Sequence, residues 1–202
     1  MMIKAWHFLP DDGRVKRLGI VPEIGMTITH KGGVVIRHKG LHASRRALDA
    51  LYYAEGTICC LVEVWGDVQE EEDKLCGRNR VVLAKFDATR LLHEFALEII
   101  EEALNDEKYD VDMVVWNALK IKGRWLDGKV TDQELDRARE LVEIYRDKVD
   151  TQLMYAAHWA VSKYPIDAVI ETIESLSVGF RSNFTEYNTR LEAKLNGVID
   201  KC

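Results

Sequence analysis

Apolar residues recur with two different periods in the two halves of the chain. Before about residue 86 they occupy alternate positions, which is the period of a β-strand, and the clearest such run is Thr57 to Val68. Both faces of that run are largely apolar, which predicts a strand in the middle of a sheet. From Asp87 onward the period is about 3.6 residues, which predicts helices.

The first half has the pattern of strands joined by turns. Strands are predicted at Ile3 to Leu9, which the turn sequence Pro10 to Gly13 ends, and at Arg80 to Phe86. Gly25 to Thr29 and Val34 to Arg37 flank a Lys-Gly-Gly sequence, and this arrangement predicts a β-hairpin.

One short helix is predicted among these strands. Gly40 provides a turn, Ser44 carries the hydroxyl of a helix N-cap, and the helix is expected to continue to about Ala54. Leu48 and Leu51 share one face of this helix, because they are three positions apart.

The second half is predicted to consist of four or five helices that form an antiparallel bundle. Thr131 and Glu134 have the spacing of a capping box, which opens a long helix that is expected to reach Ala160. Pro165 either ends that helix or begins the next one. The other expected helices are one capped by Asp87, one from Asp110 to Trp125, and one with a stripe from Phe180 to Val198.

These patterns together predict an α+β fold. A mixed or antiparallel sheet with one short helix is expected over residues 1–86, and a helical region packed on it over residues 87–202. The helices are expected to associate with a second copy of the chain, as a homo-oligomer.

Composition limits the compartment and excludes some classes of site. Cys59, Cys60, Cys76 and Cys202 have no spacing typical of a disulfide framework, and no Cys or His pair has the spacing of zinc ligands. No apolar run is long enough to span a bilayer, and the first residues contain no apolar signal region. We therefore expect a cytoplasmic protein with reduced cysteines, no metal site and no membrane partner.

Charge is distributed unevenly along the chain. Residues 1–86 contain 13 Lys and Arg against 11 Asp and Glu, whereas the whole chain has a net charge of −6. The second half is therefore acidic, which argues against binding of extended nucleic acid, because that requires a basic face. A local basic pocket in the first half remains compatible with this balance.

The most informative segment is Gly-Leu-His-Ala-Ser, residues 40–44, and the helix after it. Ser44, Arg45, Arg46 and the first-turn N–H groups could bind a phosphate or carboxylate, with Tyr52 or Tyr53 stacked on a ring. Two arginines in a first turn oppose the helix dipole unless a negative group compensates them. The alternative is an ordinary helix start with solvated arginines and tyrosines in the core.

Trp6 and His7 are a second candidate for ligand binding, together with His42. A histidine can donate to a phosphate or hydroxyl, and tryptophan offers a flat apolar surface. In a strand the two side chains point to opposite faces, so only one is expected to line a given pocket. The alternative places Trp6 in the core, His7 at a sheet surface and His42 at a satisfied strand position.

Cations before the last predicted strand form a third candidate. Arg78 and Arg80, in the basic segment from Asp73 to Arg80, could supply further phosphate contacts. The alternative is a mobile turn that balances the acidic run before it. Cys76 lies among these cations, which could lower its pKa. Known catalytic patterns for nucleotide-binding loops, zinc proteases and serine hydrolases are missing from the sequence.

Three segments together carry a resemblance to a known family. They are Lys4 to Phe8, Gly40 to Ala54, and Val62 to Val68, supported by Asp73 to Arg80 and by Asp87 to Arg90. This combination resembles an uncharacterised family found in phages and bacteria, over roughly residues 3–105. The resemblance implies a phage or prophage setting and brings no established activity.

A second resemblance is to ADP-ribosyltransferases. Gly40 to Tyr53 is similar in outline to the strand, helix and nicotinamide-packing tyrosine of those enzymes, and Trp6 to Phe8 could take the place of their His-Gly motif. No glycine follows His7, and Glu63 is only a nominal counterpart of the catalytic glutamate. The resemblance therefore implies nucleotide binding more than transfer chemistry.

The leading hypothesis is a phage-associated, non-enzymatic protein without a cofactor. It would sequester a small nucleotide-derived anion, such as an ADP-ribose-like or cyclic-nucleotide immune signal of the host, and so counter host defence. Two alternatives stay open at this point. One is a structural or protein-interaction module without a ligand, and the other is an ADP-ribosyltransferase-like enzyme that uses NAD.

Overall fold

The computed structural model describes residues 1–15, 18–105, 111–149, 151–177 and 184–201. In these ranges strands come first and helices follow, and both sheets are antiparallel. The α+β fold expected from the change of period is therefore confirmed. Asp110, Phe180 and Cys202 lie outside the described residues, as does the start of each helix predicted from Asp110 and from Gly179.

Seven strands in the described residues form two sheets, ordered β1-β4-β7-β2 and β3-β6-β5. The strands are β1 (Ile3–Leu9), β2 (Thr27–Thr29), β3 (Leu41–Ala43), β4 (Ile58–Trp65), β5 (Gln69–Glu70), β6 (Leu75–Gly77) and β7 (Asn79–Asp87).

Seven helices are described, and six of them follow the last strand, where four or five were expected. The helices are α1 (Ala47–Tyr52), α2 (Thr89–Leu104), α3 (Met113–Leu126), α4 (Asp132–Val149), α5 (Gln152–Ala160), α6 (Pro165–Leu176) and α7 (Phe184–Ile199).

The chain divides into two compact units. The strand unit comprises Met1–Ala88 together with Glu186–Cys202, and the helical unit comprises Thr89–Thr185. The strand unit thus takes in most of the last helix, which is distant from it in sequence. The domain boundary expected after residue 86 stays a prediction.

The central strand expected from its two apolar faces is confirmed. β4 pairs with β1 on one side and with β7 on the other. Cys59, Cys60, Val62 and Val64 are buried in it, and both cysteines are free thiols. Because both faces of β4 are covered, apolar residues are favourable at nearly every position.

The expected hairpin of Gly25 to Thr29 with Val34 to Arg37 is wrong. β2 pairs with β7, so that Ile28 lies opposite Arg80. Val35 instead forms an isolated bridge with Lys39. The glycines between the two segments permit a hairpin, but Thr27 to Thr29 instead form a three-residue ladder with β7.

The expectation that Ser44 caps the short helix is also wrong. Ser44 continues the extended segment and exchanges two backbone hydrogen bonds with Trp6, so that Arg46 occupies the N-cap without a side-chain bond. The first two N–H groups of α1 donate to side chains of α7. Ala47 N donates to Glu192 Oε1 at 3.0 Å. Leu48 N donates to the Asn188 side-chain oxygen at the same distance.

The helical unit confirms the most local predictions. Thr131 N donates to Glu134 Oε2 at 2.8 Å and Glu134 N donates to Thr131 Oγ1 at 3.3 Å, which is the reciprocal pair of a capping box. Pro165 begins α6. The single long helix expected up to Ala160 is wrong, because α4 ends at Val149 and Thr151 caps α5.

Candidate functional site

A cavity of about 590 Å³ lies in the strand unit. Its walls include consecutive residues of β1 and the segment around β3, and it also takes side chains from α1 and β7. The lining residues are Trp6, His7, Phe8, Leu9, Pro10, Arg14, Val15, Leu18, His30, Arg37, Gly40, Leu41, His42, Ala43, Ser44, Ala50, Tyr53, Glu55, Lys74 and Arg80.

The cavity brings together most of the residues that the sequence analysis singled out. The predicted site residues that line it are Trp6, His7, His42, Ser44, Tyr53 and Arg80. Trp6 and His7 both line it, against the expectation that only one could. The reason is that the cavity extends along β1 from residue 6 to residue 10, so its wall is not formed by one face of the strand alone.

Arg80 is a deeply buried charged residue in the wall of this cavity. Its side chain belongs to β7 in the larger sheet and donates from Nη1 to the backbone oxygen of His42 in β3, at 2.7 Å. The residue is only 2% exposed, and its buried Nε has no hydrogen-bond partner among the described residues. Arg80 thus links the two sheets through one edge of its guanidinium and leaves Nε unsatisfied.

Burial lowers the pKa of Arg80, but the guanidinium keeps its charge. Loss of hydration lowers the pKa of this guanidinium to about 10, and Cys60 nearby opposes that change. Arg80 therefore remains a cation at neutral pH. No described carboxylate forms an ion pair with it within 4.0 Å.

Two histidines of the cavity wall add polar groups that are neutral or unsatisfied. Burial lowers the pKa of His7 well below its ordinary value, and the charge of Arg80 lowers it further, so His7 is a neutral imidazole at pH 7. His30 follows β2, and its buried Nε2 has no hydrogen-bond partner among the described residues.

A network of charges forms another part of the wall. The Tyr53 hydroxyl donates to Asp73 Oδ2 at 2.5 Å, which raises the pKa of Tyr53 and lowers that of Asp73. Arg37 donates to Glu71 at 2.6 Å and lies 3.6 Å from Asp73. The Lys74 ammonium lies 3.2 Å from the centre of the Tyr53 ring. A ligand ring could therefore stack on Tyr53 only at the face that Lys74 leaves open.

The other predicted arginines are occupied by carboxylates of the same chain. Arg45 makes two contacts with Glu70, and Arg46 Nε donates to Asp49 at 2.6 Å. Arg78 pairs with Asp67. None of these three arginines is among the residues that line the cavity, and Tyr52 is not among them either.

These contacts account for the basic first turn of α1 without a ligand. Asp49 and Glu70 compensate the arginines, and Glu192 accepts a hydrogen bond from the start of the helix. The helix dipole is therefore balanced by groups of the chain itself. The predicted role of Arg45 and Arg46 in binding an anion stays a prediction, and it would require these pairs to exchange.

Two residues considered for chemistry are placed away from the cavity wall. Glu63, the nominal catalytic glutamate, lies in β4 opposite Lys4 and does not line the cavity. Cys76 is buried, and desolvation raises the pKa of its thiol. The expectation that neighbouring cations lower this pKa is wrong, since burial outweighs the effect of Lys74.

The sequence analysis missed several residues of the wall. Lys74 stands in the basic segment Asp73 to Arg80, so its positive charge indicates it as a candidate site residue. His30 and Arg37 were assigned to a hairpin, and that error hid them. Arg14 lies in the loop after β1, and the exposed Glu55 follows α1. Neither position belongs to a periodic pattern in the sequence.

Within the described residues, no group of three or more His, Cys, Asp or Glu side chains is placed to hold a metal ion. Among the described helices, none combines the length and apolar character that a membrane crossing requires.

A comparison with known protein families finds a match over part of the chain and no activity. Residues 4–94 match an uncharacterised family described as "Domain of unknown function (DUF7666)". The match covers β1 to the start of α2 and so includes every described residue of the cavity wall. No curated protein and no solved structure matches the chain. The expected resemblance to an uncharacterised family is confirmed, whereas the resemblance to ADP-ribosyltransferases stays a prediction.

Proposed function

We propose that this protein binds a small nucleotide-derived anion in the cavity of the strand unit, without transforming it. The observation that carries the proposal is the buried guanidinium of Arg80. It lines the cavity, keeps its charge and has no carboxylate partner among the described residues.

The energetic argument follows from that burial. Removing a charge from water is costly unless an opposite charge or a full set of hydrogen bonds compensates it. The carbonyl oxygen of His42 satisfies one nitrogen of Arg80, and Nε remains unsatisfied. An anion bound in the cavity would offset the desolvation cost of the buried guanidinium. Binding would therefore recover part of the free energy that burial of Arg80 costs on folding.

The cavity also suits the rest of a nucleotide. Its volume of about 590 Å³ lies within the range of small-molecule sites, roughly 300 to 1,000 Å³. Trp6 and Phe8 contribute aromatic surface, and His7 contributes a neutral ring that can donate and accept hydrogen bonds. A wall that combines aromatic side chains with cationic and neutral polar groups suits a ligand that has both a ring and an anionic group.

The biological setting is part of the proposal and comes from the resemblance to phage and bacterial proteins. A phage protein that holds a host signal nucleotide in such a cavity would lower the free concentration of that signal. Binding alone would be enough for this counter-defence role, which agrees with a cavity that Glu63 does not enter.

Titration calorimetry of the full chain at pH 7.5 tests the proposal. The panel comprises ADP-ribose, the cyclic mononucleotides and the 5′-mononucleotides of all four bases. We expect saturable micromolar binding of at least one of them, and loss of that binding by about tenfold or more in Arg80→Met.

Arg90→Met is the matched control. Arg90 also donates from Nη1 to a backbone carbonyl, that of Leu126, but it lies in the helical unit and is exposed. Its substitution removes the same charge and should leave binding unchanged. Absence of binding by the whole panel, or an equal loss in both variants, would overturn the proposal.

A further inference from the structure

The turn between β5 and β6 places Lys74 at the cavity wall. Glu71 N donates to the backbone oxygen of Lys74 at 2.8 Å, and Leu75, the first residue of β6, is fully buried. Lys74 itself is half-buried and lines the cavity. The turn and the strand therefore set the backbone position of Lys74, while its side chain stays partly open to solvent.

The carboxylates beside Lys74 are bound by other groups. Asp73 accepts a hydrogen bond from the Tyr53 hydroxyl at 2.5 Å and lies 3.6 Å from Arg37, which also donates to Glu71 at 2.6 Å. Among the described residues, Lys74 forms no ion pair within 4.0 Å. Its ammonium lies 3.2 Å from the centre of the Tyr53 ring instead. Lys74 is thus a cation with an aromatic partner and no paired anion in the described chain.

An ammonium held by a ring can still bind an anion. The Lys74 ammonium has three N–H donors, and a partly exposed contact with a ring is weaker than a hydrogen bond between a cation and a phosphate oxygen. A phosphate group offers several such oxygens together with the opposite charge. Contact with a phosphate in the cavity is therefore more favourable for Lys74 than the ring contact alone.

The charge of Lys74 acts on the same part of the cavity as the charge of Arg80. Burial lowers the pKa of His7 most, and the charges of Arg80, His42 and Lys74 lower it further. These four residues all line the cavity. Arg80 is almost completely enclosed and acts on a ligand chiefly through its charge, whereas Lys74 is open enough to touch a bound group.

Resting on the proposed function, we infer that Lys74 directly contacts the phosphate group of the nucleotide and that the Tyr53 ring positions its ammonium for this contact. The bond to Asp73 holds the Tyr53 hydroxyl, so the ring keeps its orientation. Arg37 engages the two neighbouring carboxylates, which leaves the ammonium available to the ligand. Tyr53 is therefore a positioning residue that acts through Lys74 and does not itself stack on the ligand.

Calorimetry of the full chain at pH 7.5 tests the phosphate contact, with the panel nucleotide that binds best and with its nucleoside, which lacks phosphate. Lys74→Met should weaken binding of the nucleotide about tenfold and leave binding of the nucleoside unchanged. Lys74→Arg keeps the charge and should retain most of the affinity for the nucleotide. Lys4→Met is the matched control, because Lys4 is exposed on β1 in the same unit and does not line the cavity.

A double-mutant cycle tests the positioning role of Tyr53, and circular dichroism checks that each variant folds. Tyr53→Leu should weaken nucleotide binding about threefold in the natural chain and have no further effect in Lys74→Met, because its effect passes through the ammonium.

Two results would overturn the inference and leave the proposed function standing. One is equal nucleotide affinity in Lys74→Met and Lys4→Met. The other is a loss in Tyr53→Leu that is undiminished in the Lys74→Met background or equally large for the nucleoside, which would mean that Tyr53 stacks on the ligand. Failure of every nucleotide to bind the natural chain would overturn the proposed function itself.

Discussion

Among the described residues, each unit of this protein buries one cation deeply, and burial affects the two cations differently. In the helical unit, Lys122 of α3 is 0% exposed and donates to the backbone oxygen of Ser162 at 2.6 Å. Its ammonium lies 4.2 Å from the ring of Trp125. In the strand unit, Arg80 is similarly buried but lines a cavity.

The chemistry of the two side chains decides what burial does to each. Desolvation, with a contribution from Arg139, lowers the pKa of Lys122 to about 7, so this amine can give up its proton and become an ordinary core residue. Arg80 keeps its charge, because its pKa falls only to about 10. A buried lysine can thus relieve its own burial cost, whereas a buried arginine requires an external partner. The comparison favours a structural role for Lys122 and supports the binding role that we propose for Arg80.

Truncation of Lys122 is expected to have the largest effect. Lys122→Ala leaves a void beside Trp125 and removes the hydrogen bond to Ser162, which should lower the free energy of unfolding by about 3 kcal/mol at pH 8.5. Lys122→Met keeps the volume of the side chain and should stay within about 1 kcal/mol of the natural chain. Urea unfolding followed by tryptophan fluorescence measures both. Equal loss in the two variants would show that the amine, and not its packing, holds this region.

The pH dependence of stability gives the next largest effect. Between pH 7 and 8.5 the unfolded chain keeps Lys122 protonated, while the folded chain releases the proton because its pKa is about 7. The unfolded state then binds more protons, so the free energy of unfolding rises with pH, by about 1.5 kcal/mol across this interval. Well below pH 7 both states are protonated, so Lys122 no longer makes the free energy of unfolding depend on pH.

Lys122→Met is the control for that measurement as well. It lacks the titrating group, so the rise attributed to Lys122 should be missing from its stability profile. Cys59 and Cys60, whose thiol pKa values are raised by burial, affect both proteins equally. Parallel profiles for the natural chain and the variant would contradict the assignment to Lys122.

Arg80→Met tests the second buried cation of the comparison. Because Arg80 is an uncompensated buried charge, its replacement by an apolar residue of similar length should raise the free energy of unfolding by about 1 kcal/mol in the absence of ligand. A stabilised variant that no longer binds nucleotide separates a binding role from a structural one. A loss of stability would instead mean that the bond to His42 outweighs the cost of burial.

How well the sequence predicts a contact in this protein depends on the number of residues that separate the two partners along the chain. The capping box of Thr131 and Glu134 was found because three residues separate its partners. The pairing of β2 with β7 was missed because about fifty residues separate the strands. Arg80 is predicted as a site residue because it belongs to the basic segment Asp73 to Arg80, whose cations could contact a phosphate. Its contact with His42 depends on two sheets that no local pattern brings together.

The burial of Lys122 is indicated by a sequence pattern that the predictions above do not use. Val115, Ala118, Leu119 and Lys122 recur at the spacing of one helix face, and all four are buried. A lysine on an otherwise apolar stripe therefore indicates a buried amine. By contrast, Asn188 and Glu192 lie about 140 residues from the helix start that they cap, and nothing in the sequence near α1 points to them.

That distant cap leads to the smallest predicted effect. Glu192→Ala removes the acceptor for the Ala47 N–H and for the Asn188 amide, and should lower the free energy of unfolding of the strand unit by about 0.5 to 1 kcal/mol. Glu186→Ala on the same helix is the control, because Glu186 makes only an exposed contact with Arg190 at 3.9 Å. Hydrogen exchange of the Ala47 amide gives a local reading: it should accelerate in Glu192→Ala and stay unchanged in Glu186→Ala. Unchanged exchange in both would mean that the Glu192 side chain does not protect the Ala47 amide and that α7 does not cap α1 there.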